Sequence, residues 1–371
     1  MSATRNQTSV TVLGLETSCD DTAAAVVRFD PDHGGRILSN TVWTDHDDHA
    51  AYGGVVPEIA ARSHVERLDA TIARTLDNAG MAISDIDAVA ATAGPGLIGG
   101  VMVGLTAGKA IAIARGLNLI PVNHLEGHAL SVRMTDPASF PYLLLLISGG
   151  HTQLLWVEGV GRYRRLGSTI DDAAGEAFDK TAKLLGLGQP GGPRIESAAV
   201  GGRADRYDFP KPLRKREGCD FSFSGMKTAV REAVESMAAP SGQDVADIAA
   251  SFQFAAASHL ADRTARAMEM VEAMAGVAPL LVAAGGVAAN CSIKSMLSTL
   301  CERKGWRMAA PPAKYCTDNG AMIAWAGAER LCAGLVPGMA EAMSFAPRAR
   351  WPLAPPLAGA EIGGGKKGPK A

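Results

Sequence analysis

Apolar residues occur along this chain in short runs that are interrupted by small polar turns. The segment SVTVLGLETSCDDTAAAVVRFD (9–30) consists of an apolar run, a polar turn and a second apolar run. The segment PYLLLLISGGHTQLLWVEGV (141–160) repeats this plan. Each segment predicts a β-hairpin whose turn is lined by small residues.

A second pair of segments, 87–114 and 279–300, each combines a buried strand, a glycine-rich turn and an apolar-periodic helix. A strand that ends in glycines before a helix presents free backbone N–H groups, which suit a phosphate or a carboxylate. Two hairpins that are each followed by such a unit predict a duplicated α/β domain with a cleft between its halves.

The remaining segments predict helices and a disordered end. Residues 160–275 are expected to be mainly helical, with a long amphipathic helix over 244–271. The most apolar run, YLLLLI (142–147), is too short to span a bilayer, and the N-terminus lacks the apolar region of a signal peptide, so no membrane contact is expected. From Ala346 onward the chain is rich in Pro, Gly, Ala and Lys, which predicts a disordered tail over 346–371.

Composition and charge narrow the function classes. With 371 residues, 47% of them hydrophobic, the chain can bury a core large enough for two domains. A net charge of −2 and a pI of about 6.5 exclude a free-standing nucleic-acid binder, so any RNA contact is local or shared with a partner. One basic stretch, RYDFPKPLRKREG (206–218), is either a solvated loop or an RNA-contacting patch. The six cysteines form no Cys-x-x-Cys pair, which favours the reducing cytosol.

The glycine-rich turns do not match the better-known nucleotide motifs. Gly94-x-Gly96-x-x-Gly99 fits the dinucleotide fingerprint, but no acidic residue follows at the end of the next strand, where a ribose would need one. In the stretch that ends in Gly-Lys, Val103 and Ala110 occupy the places of the first P-loop glycine and of the Mg-binding Ser or Thr. The sequence therefore predicts no P-loop in this chain.

Two histidines four residues apart, His124 and His128, raise the question of a metal site. At about 100° per residue they lie on one helical face, whereas Glu126 points elsewhere and is a poor protease base. Asn123 followed by Glu126 predicts a helix N-terminus with a capping box. Because such a pair is also common as ordinary polar residues, a third ligand is required. Asp318, at the start of an apolar helix, is on its own a good N-cap.

Several stretches together resemble one family, the bacterial tRNA threonylcarbamoyladenosine transferases, whose catalytic subunit was once called a glycoprotease. The resemblance runs from about residue 11 to 335 and is carried by long motifs in one order. These are GLETSCDDTAAAVV, NHLEGHAL, LISGGHTQL, DDAAGEAFDKTAKLLGLGQPGGP, DFSFSGMKTAV, GGVAANCSIKSML and YCTDNGAMIAWAG.

The resemblance implies an α/β fold of the actin-like, sugar-kinase and chaperone-ATPase (ASKHA) type, with two duplicated subdomains around a cleft and a helical insertion. The expected organisation is an N-terminal extension, a first subdomain, a second subdomain that contains the helical insertion, and the tail. The boundaries are 1–10, 11–140 completed by 315–335, 141–314, and 346–371. The resemblance also implies that His124, His128 and Asp318 hold one metal ion, Fe(2+), with Zn(2+) as an alternative.

The implied reaction transfers a threonylcarbamoyl group from threonylcarbamoyl-AMP to N6 of adenosine 37 in tRNAs that read ANN codons, giving t6A. The family residues that hold the acyl-adenylate match Leu146, Ile147, Ser148, Gly149, Gly150, Asp179, Gly192 and Asn290. Asp20 is a candidate base, because the equivalent turn of this fold points into the cleft, and its neighbour Asp21 is the second candidate. Either aspartate could instead be a plain turn residue.

The resemblance further implies partners: tRNA, the adenylate donor, a metal-free paralogue of the TsaB type as heterodimer partner, and a small P-loop ATPase of the TsaE type, all in the cytoplasm. Three alternatives stay open at the level of sequence. They are a metallopeptidase, an ATP-dependent small-molecule phosphotransferase, and a non-catalytic scaffold.

Overall fold

The computed structural model describes residues 9–44, 49, 54–275 and 280–354. It divides into two compact units. The first contains the described residues up to Asp136 together with 318–353, and the second contains 137–317. Residues 1–8 of the expected N-terminal extension and residues 355–371 of the expected tail lie outside the described residues.

The first unit is built on a five-stranded sheet in the order β3-β2-β1-β4-β5. Its elements up to residue 130 are β1 (Val10–Glu16), β2 (Thr22–Asp30), β3 (Gly34–Trp43), α1 (Pro57–Ala79), β4 (Ala88–Gly94), α2 (Ile98–Arg115), β5 (Asn118–Asn123) and α3 (His124–Leu130). Strands β1 and β2 form the predicted antiparallel hairpin, and β4 lies parallel to β1. The predicted unit of strand, glycine-rich turn and helix is β4 and α2.

The second unit repeats this plan. Its elements are β6 (Tyr142–Ile147), β7 (Thr152–Gly159), β8 (Arg162–Ser168), α4 (Ala174–Leu184), α5 (Gly191–Ala198), α6 (Ser224–Glu235), α7 (Gly242–Ala275), β9 (Leu280–Ala284), α8 (Cys291–Lys304) and β10 (Arg307–Ala309). The sheet order β8-β7-β6-β9-β10 matches that of the first unit strand for strand. The predicted duplication is confirmed, and helices α4 to α7 form the helical segment between the hairpin and β9.

The chain returns to the first unit through α9 (Gly320–Cys332) and α10 (Met339–Ser344). Helix α9 is almost wholly buried and packs on β1, β2 and β4. Glycines make this close approach feasible, because a Cβ at Gly14 would collide with the backbone of Gly320 and Ala324. Phe29 and Trp325 pack edge to face across the same interface, with ring centroids 5.2 Å apart.

The prediction of disorder from Ala346 is wrong for the described part of that segment. The Arg348 N–H donates to the Ala93 carbonyl (2.8 Å), and the Asn123 side chain donates to the Trp351 carbonyl (2.9 Å). Trp351 packs against Phe345 and the core of the first unit. Composition missed this docking because one aromatic side chain supplies the apolar contact within a stretch rich in proline and alanine.

Helix α2 is, among the described residues, the one helix with the length and apolar composition of a membrane span. It is also the crossover between the parallel strands β4 and β5, and it packs on the first sheet through small residues. The Gly104 N–H donates to the Thr17 hydroxyl (3.1 Å), and that hydroxyl donates to the Gly100 carbonyl (2.8 Å). The core helix of a water-soluble protein meets the same criteria of length and composition, so α2 is weak grounds for a membrane span.

Candidate active site

Both histidines of the HLEGH stretch lie at the start of α3. The Asn123 side chain accepts a hydrogen bond from the Leu125 N–H (2.9 Å), which confirms the predicted N-cap. His124 and His128 are both buried, and their ring centroids lie 4.8 Å apart with the planes nearly perpendicular. The predicted common helical face therefore brings the two imidazoles together.

Asp318 comes from the other end of the chain and faces these two imidazoles. The cap of α9 is Asn319, whose side chain accepts from the Met322 N–H (2.9 Å), so the reading of Asp318 as N-cap is wrong. Because the neighbouring asparagine caps the helix, the Asp318 carboxylate is available for other contacts. Its Oδ1 lies 3.2 Å from Nε2 of His128 and 3.5 Å from Nε2 of His124. One ligand atom from each of the three side chains lies within 4.8 Å of the other two.

Glu16, at the end of β1, is a site residue that the sequence reasoning missed. Its buried carboxylate accepts from the Thr92 hydroxyl (2.6 Å) and the Ser18 N–H (2.5 Å), and it lies 2.9 Å from Nδ1 of His124. The Ser18 hydroxyl also lies 3.1 Å from Nδ1 of His124. One sequence signal could have identified Glu16 as a site residue: it is a carboxylate at the end of an apolar strand, directly before a small polar turn. The sequence separation of 108 between Glu16 and His124 hid the pairing.

The carboxylates dominate the electrostatics of this cluster. Burial disfavours the charged imidazolium of His124, but the negative charges of Glu16 and Asp318 outweigh it and raise the pKa of His124 to about 9. Burial likewise opposes ionisation of Glu16, yet the charge and hydrogen bond of His124 lower the pKa of Glu16. The cluster is therefore a buried site that favours positive charge.

The donor set fits a divalent transition-metal ion. Two imidazole nitrogens and one carboxylate oxygen converge, and such a set suits Fe(II), with Zn(II) also accepted. Metal-binding histidines usually donate their second ring N–H to a carboxylate, and Glu16 stands in that position for His124. Nδ1 of His128 is buried and has no hydrogen-bond partner among the described residues. The geometry thus gives a candidate centre for a divalent metal ion.

The turn after β1 carries Asp20 and Asp21, and His64 contacts the residue before and the residue after this pair. His64 of α1 contacts the Cys19 carbonyl through Nε2 (3.1 Å) and the Thr22 hydroxyl through Nδ1 (2.8 Å). Asp20 and Asp21 are half-buried. Burial and the negative charge of Asp318 outweigh the hydrogen bond from the Thr44 hydroxyl and raise the pKa of Asp21 to about 7. The raised pKa of Asp21 brings this carboxyl group close to neutral pH.

Glu126 is not available as a protease base. It is buried, and Arg330 donates to both of its carboxylate oxygens at 3.0 and 3.3 Å. This ion pair links α3 to α9 and holds the carboxylate in a structural contact. The metallopeptidase alternative therefore loses the glutamate of the HLEGH stretch as its base.

The second unit carries the residues that were predicted to hold the acyl-adenylate. Leu146 and Ile147 are buried at the end of β6, and Ser148 to Gly150 form the turn that follows. Gly149 and Gly150 are exposed, have no left-handed φ, and would meet no atom within 4 Å if either carried a Cβ. The backbone conformation and the packing thus do not require glycine at either position. The lack of side chains leaves open space beside the turn.

The turn at 148–150 also contacts the start of helix α4. The Gly175 and Glu176 N–H groups donate to the carbonyls of Ser148 (3.3 Å) and Gly149 (3.1 Å), so the strand end and the helix start form one assembly. These backbone contacts, together with the Thr152 hydroxyl that accepts from the Ala174 N–H (2.8 Å), join the turn to the helix start.

The other predicted ligand residues of the second unit make structural contacts. Asp179 accepts from the Gly191 N–H (2.7 Å) at the start of α5, and Gly192 is the next residue of that helix. Asn290 caps α8 through the Ile293 N–H (3.1 Å), and its amide donates to Gln253 (2.8 Å). Asn290 is thus the N-cap of α8, and Gly192 has no left-handed φ.

A family model described as tRNA N6-adenosine threonylcarbamoyltransferase matches residues 36–325, which contain both histidines and Asp318. The chain belongs to this family. The family resemblance inferred from the motifs is thereby confirmed, and the protein is a transferase that acts on tRNA.

Full-length relatives carry the same name. The chain is 59% identical over 362 residues to the tRNA N6-adenosine threonylcarbamoyltransferase of Rhizobium meliloti (strain 1021), covering 97% of this chain and 99% of the relative. It is also 59% identical over 365 residues to that of Chelativorans sp. (strain BNC1), with the same coverage of both chains.

Solved structures support the fold class. Thermococcal HypF (T. kodakarensis) aligns with a TM-score of 0.58 over 90% of this chain and 49% of that chain, at 16% identity. Component A of the Acidaminococcus fermentans (R)-2-hydroxyglutaryl-CoA dehydratase aligns with a TM-score of 0.52 over 87% of this chain and 99% of that chain, also at 16% identity. At this identity the likeness concerns the fold alone, and it confirms the predicted actin-like class with two subdomains.

Proposed function

We propose that this transferase takes its acyl group from threonylcarbamoyl-AMP and that a metal ion bound by His124, His128 and Asp318 assists the transfer. The product is t6A at position 37 of tRNAs that read ANN codons. The observation that carries the proposal is the convergence of three buried or half-buried donor atoms within 4.8 Å in a chain of this family. We further propose Fe(2+), one per subunit, with Zn(2+) as the alternative, because of the two-histidine, one-carboxylate set.

The chemistry needs electrophile activation, since the lone pair of the adenine amine is delocalised into the ring. The N6 nitrogen forms a bond to the acyl carbon, the bond from that carbon to the phosphate oxygen breaks, and AMP leaves with the electron pair. The amine loses one proton. A metal at this site would supply positive charge against the negative charge that develops on the leaving phosphate. Glu16 holds the His124 ring through Nδ1 and so orients its other nitrogen.

We propose Asp20 as the group that accepts the amine proton, with Asp21 as the competing candidate. The pKa of Asp21, raised to about 7, suits a base near neutral pH. Asp20→Ala and Asp21→Ala should therefore be compared at constant metal content. If Asp20 is the base, only the first variant loses transfer. If Asp21 is the base, only the second loses transfer, and the assignment to Asp20 is then wrong.

We propose that the acyl-adenylate binds along Leu146, Ile147, Ser148, Gly149 and Gly150, with Asp179, Gly192 and Asn290. The open space beside Gly149 supports this and yields a direct test. Gly149→Val should weaken binding of a non-hydrolysable adenylate analogue about tenfold while the melting temperature stays unchanged. Gly242→Val, at the exposed start of α7, is the matched control. Unchanged affinity in Gly149→Val would remove this turn from the site.

We propose that the chain works in the cytoplasm with a metal-free paralogue of the TsaB type and a P-loop ATPase of the TsaE type. The net charge of −2 and the missing P-loop support this division of labour. Co-elution of the three purified proteins on a sizing column tests it. If the chain alone gives full transfer, neither partner is needed.

Transfer of labelled threonylcarbamoyl from its adenylate to unmodified tRNA tests the main proposal. The assay compares wild type, His124→Ala and Asp318→Ala in the presence of the partners. His33→Ala is the matched control, because His33 lies exposed in the β2–β3 turn. We expect transfer by wild type and His33→Ala and at least 100-fold less by the two site variants. Labelled product at the wild-type level from Asp318→Ala would contradict metal assistance.

A further inference from the structure

We propose that residues 211–216 of the second unit, which we name the basic loop, bind the phosphate backbone of the tRNA substrate. The inference rests on tRNA as the acceptor, and it assigns a docking surface to that acceptor. The loop has the sequence KPLRKR, with four basic residues and no acidic residue, in a chain whose net charge is −2. Lys211, Arg214, Lys215 and Arg216 are all exposed.

A buried arginine of α7 binds backbone carbonyls of the basic loop. Arg263 of α7 has no exposed surface, and its guanidinium donates to the carbonyls of Leu213 (2.5 Å), Arg216 (3.0 Å) and Gly218 (3.2 Å). A buried guanidinium is retained only where hydrogen bonds compensate its desolvation. The arginine therefore turns two carbonyls of the loop, and that of Gly218 just after it, inward.

A second arginine of α7 continues this anchorage at the surface. Arg266 donates to the carbonyls of Arg214 (2.7 Å) and Arg216 (3.2 Å). Because the carbonyls of the loop are engaged by α7, its cationic side chains are presented on the outside. The charges of the basic loop thus sit on a fixed backbone.

Leu213 adopts the conformation that this anchorage requires. Its φ of 58° makes it the one non-glycine residue with a left-handed backbone among the residues that the structure describes. A bulky side chain rarely adopts this region unless the surroundings impose it. Strain of this kind clusters at binding sites, and here it shapes the middle of the basic loop.

Two of the cationic side chains, Arg214 and Lys215, are not engaged in ion pairs with any carboxylate in the described part of the chain. A cavity of about 160 Å³ beside the loop is lined by Lys211, Pro212, Arg214, Ser258, His259 and Asp262. The Asp262 carboxylate of this lining pairs with Arg263 (2.9 Å) and Arg266 (3.5 Å). Lys211, Arg214 and the Ser258 hydroxyl supply donors that suit an anionic oxygen.

The neighbouring aromatic residues indicate contact with phosphate rather than stacking with bases. Tyr207 and Phe209 stack on each other with ring centroids 5.7 Å apart, and Phe209 is buried, so this pair offers no open face for a base. Phe254 is 43% exposed and carries Lys211 over its ring. A loop with charge but without an apolar anchor fits a nucleic-acid backbone better than a protein partner.

Charge reversal of two loop residues tests the proposal. Arg214→Glu/Lys215→Glu is compared with Arg231→Glu/Arg303→Glu, which reverses two exposed charges on other helices of the same unit. Affinity for unmodified tRNA is measured by fluorescence anisotropy over a series of KCl concentrations, with the full chain and its partners. We expect the loop variant to bind at least tenfold more weakly. The slope of log K against log salt should also fall by about one to two.

The outcomes separate this inference from the proposed function. Equal tRNA affinity and salt slope in the loop variant and the control variant would overturn the inference. Loss of paralogue binding at unchanged tRNA affinity would also overturn it and make the loop a protein-docking surface. If wild type binds tRNA through the loop but transfers no threonylcarbamoyl, the proposed donor is wrong and the docking surface stands.

Discussion

Two of the buried histidines, His124 and His259, lie in opposite electrostatic surroundings. His124 of the first unit faces Glu16 and Asp318, whose charges raise the pKa of His124 to about 9 despite burial. His259 of the second unit packs edge to face against Phe221 and Phe223, and burial together with the charge of Arg263 lowers its pKa to about 4. The two residues are nearly equal in exposure, so burial alone does not make a histidine a site residue.

The difference teaches how a functional histidine is distinguished from a core histidine. Near His124, two carboxylates supply negative charge that stabilises either a proton on the ring or a bound metal ion. Near His259 the negative charges of Asp262 and Asp171 do not offset burial and the positive charge of Arg263, and Nε2 accepts the Ser222 N–H (3.2 Å) as a neutral ring would. Four experiments break or sharpen this contrast, from the largest expected effect to the smallest.

Replacing each histidine by glutamine should separate them most clearly. His124→Gln removes a ligand, and we expect metal affinity to fall at least 100-fold. His259→Gln should keep wild-type metal content, since glutamine can still accept the Ser222 N–H. Metal analysis after dialysis against a graded chelator measures both variants. If a folded His259→Gln variant lost its metal, His259 would also contribute to metal binding, and the distinction between the two histidines would be wrong.

Acid should destabilise the fold through His259. Its pKa is about 4 in the folded protein and 6.5 when unfolded, so above pH 6.5 the ring is neutral in both states and costs nothing. As pH falls from 6.5 to 4 the unfolded state takes up a proton that the folded state does not. The free energy of unfolding should therefore drop by about 3 kcal/mol across this window.

Urea unfolding of wild type and His259→Gln at pH 7 and pH 4.5 checks this assignment. The variant should lose less stability than wild type between the two pH values. An equal loss in both proteins would assign the acid sensitivity to other groups.

Glu16→Gln should weaken metal binding by about 10- to 100-fold, because an amide no longer holds the His124 ring as a carboxylate does. Asp87→Asn is the matched control, since Asp87 accepts the Thr11 N–H (2.7 Å) at the opposite end of β1. Metal affinity by competition titration gives the comparison independently of activity. Equal affinities in the two variants would reduce Glu16 to a packing role.

Ser18→Ala should produce the smallest effect, about a fivefold loss of metal affinity, because it removes one hydroxyl contact (3.1 Å) to His124 while Glu16 remains. Ser84→Ala, in an exposed turn, is the control. The same titration applies. A loss as large as that of Glu16→Gln would mean that the hydroxyl, not the carboxylate, orients the ring.

Local pattern was sufficient for the elements and for part of the candidate site. The alternation of apolar and polar residues predicted both hairpins, and the glycine-rich turns predicted β4 with α2 and β9 with α8. The period of the α-helix placed His124 and His128 on one face. These features depend on residues within about one element of each other, so the sequence contains them directly.

Contacts between distant residues were decided by the tertiary structure. Local sequence favoured Asp318 as the helix cap, whereas Asn319 takes that role, and only the position of α9 leaves the aspartate facing the histidines. Sequence reasoning missed Glu16 beside His124 and the docking of Trp351, and it left the loop around Lys215 open between solvent and RNA. Each of these depends on elements that are far apart in the chain and meet only when the sheets and helices pack. The chemistry of individual residues was thus determined by sequence, whereas packing determined which of them share a site.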